Sequence, residues 1–181
     1  MDDSSGPVSI TAALQSARAQ SGESLLDLSH QSPLLLVVLR HSGCPFCREL
    51  LANLAGARAD IETAGVRPVL IHMMEETEAA KLFGRYHLAD LPRVSDPGQH
   101  LHQALELKRG SALDVIGPKV WWPGFKAVLL RGHRPGRPAG DVLQLGGAIL
   151  VQDGKVIAAY RSEHSFDQPD FCALIPDERS G

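Results

Sequence analysis

Six consecutive apolar residues, Leu34 to Leu39, are followed five positions later by Cys44-Pro45-Phe46-Cys47. This junction limits the fold more than any other stretch. A run with no polar position suits a strand buried on both faces of a sheet, because a half-exposed strand would alternate. His41, Ser42 and Gly43 break the run. Pro45 then fits the first turn of a helix, where a missing N–H is no loss. Leu50, Leu54 and Ile61, supported by Leu51, give that helix one apolar face. Gly65 ends it and Val69 to Ile71 form a second short strand, so the unit reads β-α-β with a parallel pair.

The flanking segments extend this unit. Val8 to Ser29 reads as a helical lead-in, with Ile10, Ala13, Leu14 and Ala17 at helical spacing and Leu25, Leu26 and Leu28 ahead of Pro33. Ala79, Leu82, Phe83 and Tyr86 predict a helix facing the sheet, and Arg93 to Ser95 a short strand. Asp96 is positioned to cap a further helix with Pro97 at its first position and Leu101, Ala104 and Leu105 inward. Ser111 to Leu130 reads as short helices, and Gly132 to Gly140 as an exposed loop. Ala148 to Val151 and Val156 to Tyr160 flank Asp153-Gly154, a pair that tolerates the positive φ of a tight hairpin turn. A last helix is expected over Asp167 to Ile175.

The order predicts an α/β chain with a central mixed sheet of the thioredoxin type flanked by helices. An insertion precedes the C-terminal hairpin. With 181 residues, a single domain over 1–181 is expected, residues 1–30 being a helical N-terminal extension. A net charge of −3 with 22% charged and 44% apolar residues excludes a disordered chain and removes any general electrostatic attraction to nucleic acid. No run approaches the roughly 20 apolar residues of a membrane span. Met1 to Pro7 lacks a basic n-region, so a cytoplasmic protein without a membrane partner is expected.

Three cysteines, two of them three apart, suit chemistry better than a disulfide scaffold. Free N–H groups and the positive end of a helix dipole favour thiolate over thiol at Cys44 and Cys47. The dipole contributes about 1 kcal/mol, near one pKa unit, so a strongly acidic thiol also needs hydrogen bonds or a cation. Arg40, His41 and Arg48 are candidates in sequence. The alternative is a zinc site, which would need two further ligands from the eight histidines or Cys172. His100 and His102 fall on different helix faces, and no second Cys-x-x-Cys exists. Cys172 reads as a small buried hydrophobe on the last helix.

Leu39 to Glu49, Val94-Ser95-Asp96-Pro97, Lys108-Arg109-Gly110-Ser111, Gly140-Asp141, Gly146-Gly147 and Asp167-Gln168-Pro169-Asp170 together resemble a known group. It is the peroxiredoxin-like, AhpC/TSA-type branch of the thioredoxin-fold superfamily, and within it the selenoprotein L-like proteins. The resemblance implies thiol-dependent antioxidant or disulfide chemistry with Cys44 and Cys47 as catalytic residues. It departs from typical peroxiredoxins, which carry proline seven and threonine three residues before the attacking cysteine. Arg40 and Cys44 stand there counted from Cys47, and Val37 and His41 counted from Cys44. Gly146 or Gly147 occupies the stretch where a thioredoxin has its cis-proline. Arg161 is a candidate for the cation that peroxiredoxins hold near their thiolate.

Trp121, Trp122 and Phe125 read as core rather than as a roof over the dithiol, and Arg131, His133, Arg134 and Arg137 as a solvated loop rather than a seat for an anionic partner such as glutathione. The expected activity is a dithiol–disulfide cycle that reduces a peroxide or a disulfide substrate. A thiol donor such as thioredoxin or glutathione would re-reduce it, with no cofactor and no metal. A non-catalytic redox-sensing or metal-holding module is the alternative.

Overall fold

The structure is a computed structural model that describes residues 9–39, 45–110, 143–164 and 166–175. The expectations for Cys44, Arg40, His41, the 111–130 helices, the 132–140 loop, the two tryptophans and Phe125 lie outside the described residues. In chain order the elements are α1 (Ile10–Ser16), α2 (Leu25–Gln31), β1 (Leu34–Val38), α3 (Pro45–Thr63), β2 (Arg67–His72) and α4 (Glu76–Gly84). β3 (Arg93–Ser95), α5 (His100–Ala104), β4 (Gly147–Gln152), β5 (Lys155–Arg161) and α6 (Phe171–Leu174) follow.

The five strands form one mixed sheet in the order β3-β2-β1-β4-β5. β1 pairs parallel with β2 and antiparallel with β4, so the apolar run is the central strand. All five of its residues are fully buried, as the unbroken run requires. Leu35 and Val37 pack with Leu50, Leu51, Leu54 and Ile61 of α3 on one face of the sheet. Leu34 and Leu36 pack with Leu14, Leu25, Leu28 and Leu101 of α1, α2 and α5, and with Leu105 just past α5, on the other. The expected β-α-β unit and hairpin are both present. Asp153 and Gly154 take φ of 50° and 71°, the turn geometry their identities favour.

Three boundaries differ from the sequence expectation. The N-terminal lead-in is two helices, because Gly22 at φ 92° closes a small loop from Ala19 to Glu23. Gln20 in that loop exchanges bonds with Arg93 (Gln20 N to Arg93 O, 3.1 Å; Arg93 N to Gln20 Oε1, 2.7 Å), which covers the open edge of β3. α5 begins at His100 rather than Pro97, since Pro97-Gly98 are spent in a turn and Gln99 takes φ 59°. Asp96 still caps the helix, reaching across that turn to the N–H groups of His100 and Leu101 at 2.9 and 3.0 Å. α6 spans four residues, capped by Asp170 accepting from Cys172 N and Ala173 N.

His72, at the C-terminal end of β2, is fully buried with its ring edge against Phe83. Glu76 lies 3.9 Å from its Nε2. Burial pushes the imidazole below its ordinary pKa of 6.5, with Glu76 pulling the other way. The unfolded chain therefore binds more protons than the native state as pH falls below about 6.5. The stability that neutral His72 confers is complete above that value and is lost below it. Urea denaturation between pH 7.5 and 5 is expected to show unfolding free energy falling, with His72 contributing at most about 1.4 kcal/mol per pH unit. His72→Phe should flatten the slope, and an unchanged slope would place the acid sensitivity elsewhere.

Candidate functional site

Cys47 is the third residue of α3, in the first turn where backbone N–H groups point away from the helix body. It is only 4% exposed, packed among Phe46, Leu50 and Leu51. Cys47 forms part of the wall of a small cleft open to the surface. Val38, Phe46 and Leu50 make the apolar side of the cleft, Gly146 and Gly147 its floor, and Asp167, Gln168 and Pro169 the opposite rim. The two glycines therefore share this cleft with Cys47. Gly147 pairs with Val38 across β1 and β4. A Cβ on it would sit 2.5 Å from the Tyr160 carbonyl oxygen and 3.0 Å from Leu107 Cδ2, so the close approach needs glycine.

The rim is strapped to the helix start. Gln168 Nε2 donates to the Phe46 carbonyl at 3.1 Å, and because a carbonyl only accepts, this fixes the amide orientation. Asp167 Oδ2 accepts from Glu163 N at 2.8 Å and His164 N at 2.7 Å, closing the loop that carries Gln168. The quoted Asp167-Gln168-Pro169-Asp170 stretch thus has two physical jobs that the pattern alone did not reveal. It roofs the cysteine turn, and it caps α6.

Several candidate residues fall elsewhere. Arg161 donates from Nε to Leu105 O at 2.9 Å and sits 3.3 Å from Glu106. Leu105 belongs to the core on the sheet face opposite Cys47, so the Arg161 guanidinium is engaged away from the thiol. Cys172 is exposed, not buried: Phe171 takes the inward position of the short α6, and the next residue, about 100° further round, faces out. Arg48 adjoins Cys47, and its positive charge opposes the rise that burial imposes on the Tyr86 pKa. His100 is exposed and His102 fully buried, on different faces as their spacing predicts. Among the described residues, no three His, Cys, Asp or Glu side chains come together as a metal site would need.

The comparisons with known proteins follow the same geometry. A family model described as AhpC/TSA antioxidant enzyme matches residues 53–164. The chain belongs to this family. The matched span begins after Cys47 and ends before Asp167, so it takes in Gly146, Gly147 and the hairpin but neither the cysteine pair nor the C-terminal rim of the cleft. A prostamide/prostaglandin F synthase of Salmo salar is 29% identical over 144 residues, covering 76% of this chain and 70% of that protein. The one from Xenopus tropicalis is 28% identical over 141 residues, covering 75% and 69%. Among solved structures, a cysteine-to-serine variant of the Peroxiredoxin 6 of Arenicola marina aligns with a TM-score of 0.59 at 12% identity, over 88% of this chain and 66% of its own. Peroxidoxin BcpB from Mycobacterium tuberculosis aligns at 0.56 and 16%, over 83% and 82%. These likenesses establish a peroxiredoxin-like thioredoxin fold; they do not speak to the selenoprotein L-like branch.

The floor of the cleft yields a direct test. Gly147→Ala is expected to lower the unfolding free energy by about 1–3 kcal/mol, through strain against fixed backbone. Gly56→Ala, on the exposed side of α3 with nothing within 4 Å, should raise it by about 0.5–1 kcal/mol. Equal effects at the two positions, read from denaturant midpoints, would contradict the packing described for the floor.

Proposed function

We propose that the protein is a thiol-dependent oxidoreductase that cycles between dithiol and disulfide at Cys44 and Cys47. The observation that carries this reading is the position of Cys47 in the first turn of α3, at the wall of a cleft. Membership of the AhpC/TSA antioxidant family supports thiol-dependent redox chemistry in general. The near-complete burial of Cys47 suits a resolving thiol, which needs only to meet its partner, better than the first attacker, which must meet a reactant. Cys44 is accordingly assigned the attack.

With a peroxide, the Cys44 thiolate forms an S–O bond as the O–O bond breaks. The leaving oxygen takes a proton, and Cys44 becomes a sulfenic acid. Cys47 sulfur then forms the S–S bond, and the sulfenic oxygen leaves as water. With a disulfide substrate, Cys44 forms a mixed disulfide and Cys47 displaces the substrate's second thiol. Two electrons from a dithiol protein such as thioredoxin, or from two glutathiones, restore the pair. The apolar side chains of Phe46 and Leu50 beside Cys47 favour reactants with an organic group. The names of the matched synthases add an oxygenated lipid to the substrates worth assaying.

Turnover of hydrogen peroxide, an organic hydroperoxide and a small disulfide, each with a thioredoxin or glutathione regenerating system, tests the reading. Cys44→Ser should lose roughly a hundredfold or more of the activity. Cys47→Ser should trap Cys44 as a sulfenic acid or mixed disulfide, visible by mass spectrometry. If both single variants turn over like the parent, the dithiol reading is wrong; if the trapped species sits on Cys47 in the Cys44→Ser protein, the order of attack is reversed.

A further inference from the structure

The C-terminal rim of the cleft is anchored on either side of Gln168 and bridged to α3 by that side chain. Before it, the Asp167 carboxylate accepts from Glu163 N at 2.8 Å and His164 N at 2.7 Å. After it, Pro169 is buried, Asp170 caps α6, and Phe171 is 3% exposed in the same core cluster as Cys47. Between these anchors the Gln168 amide reaches the carbonyl of Phe46, the residue before Cys47, with Nε2 donating at 3.1 Å. Cys47 and Gln168 line one cleft.

The amide is satisfied at one end only. Its oxygen, Oε1, is buried and accepts from no donor. In water the same oxygen accepts from solvent through its lone pairs. A typical intramolecular hydrogen bond stabilises by no more than it costs to leave a buried partner unmade, so the bond from Nε2 and the unpaired Oε1 nearly cancel. The bridged position therefore lies close in free energy to one in which the amide turns out and both of its ends meet water. Because the backbone is anchored on both sides, this change needs rotation about side-chain bonds alone, with no helix or strand released.

We infer that Gln168 is a latch over Cys47: bridged to Phe46 it shuts the thiol off from solutes, and turned out it widens the cleft by its own volume and lets them reach the sulfur. The inference deepens the dithiol reading, on which its meaning for the reaction rests, since a latched Cys47 is withheld from outside reagents and kept for the resolving step. Its physical content concerns Phe46, Cys47 and Gln168 alone.

In a Cys44→Ser, Cys172→Ser background of the full chain, Cys47 is the only thiol left. N-ethylmaleimide then reports its exposure: the thiolate sulfur adds to one carbon of the C=C bond, the neighbouring carbon takes a proton, and mass spectrometry counts the adduct. When the latch opens and closes faster than the reagent reacts, the rate tracks the open fraction. Three variants separate the parts of the latch. Gln168→Ala has no side chain to bridge. Gln168→Glu at pH 8 keeps the length but sets a carboxylate, which only accepts, against a carbonyl. Gln168→Met keeps the length with neither a donor nor an unpaired oxygen.

The expected result is alkylation about tenfold faster than the parent in the alanine and glutamate proteins, and no faster than the parent in the methionine protein. Urea well below the unfolding transition should leave these rates unchanged, because a side-chain rotation exposes little surface. Alanine and glutamate proteins within about twofold of the parent overturn the inference. So does a methionine protein faster than the parent, or a parent rate that climbs with low urea, which would mean that Cys47 is reached by unfolding. Circular dichroism and a cooperative denaturant transition check each fold; if the glutamate protein does not fold, the alanine and methionine proteins decide. The dithiol reading is judged separately, by turnover of the chain with all its cysteines. A latched Cys47 in a chain without turnover sinks that reading and leaves the latch, whereas unchanged alkylation in a chain that turns over sinks the latch alone.

Discussion

β1 has no solvent face, and the arrangement of every other element follows from hiding both of its sides. Each of its five residues is fully buried. Burying a Leu or Val contributes about 1.5–3 kcal/mol relative to leaving it exposed, as an upper estimate. One layer of helices cannot cover two faces, so α3 closes one and α1, α2 and α5 close the other. A strand apolar on both sides carries no alternation to set its own register, since a one-residue slip would expose nothing polar to the core. The register comes from its surroundings: Arg67 N on the Pro33 carbonyl, Leu39 N on Ile71, and Gly147 where only a hydrogen fits beside Tyr160.

That register delivers Cys47 to the cleft. With β1 and β2 parallel, the chain leaves β1 at the end of the sheet where α3 begins, and β4, antiparallel beside β1, brings Gly146 and Gly147 to the same end. The Gln168 bond to the Phe46 carbonyl lays the C-terminal loop over the helix start and half-closes the space around the thiol. Past the end of β3, Asp96 joins β2 through its N–H on the His72 carbonyl and joins α5 through its carboxylate, which accepts from His100 N, Leu101 N and His102 Nδ1.

Much of the frame was legible in the residues. The uniform apolar run predicted a central strand, Asp153-Gly154 a hairpin, and Pro45 a helix start, because each rests on local sterics or on burial that repeats along the chain. The resemblance to AhpC/TSA-type proteins agreed with the family match. Residues whose role depends on distant partners were less legible. Arg161 was a candidate cation by analogy, but the strand alternation sends its side chain to the face of Leu105. Cys172 was expected inside, and a four-residue helix with Phe171 as its inward residue leaves it out. Gln168 and His102 carry no motif of their own, and their partners, Phe46 and Leu39, lie far away in sequence.

By itself, the sequence determined the central strand, the hairpin turn and the helix that begins at Pro45, since propensity, periodicity and the rigidity of proline act over a few residues. Only the tertiary structure decided what surrounds Cys47: a glycine floor and a glutamine strap from the C-terminal loop. Those contacts join residues far apart in the chain, and they exist because hiding one strand on both sides brings the distant pieces together.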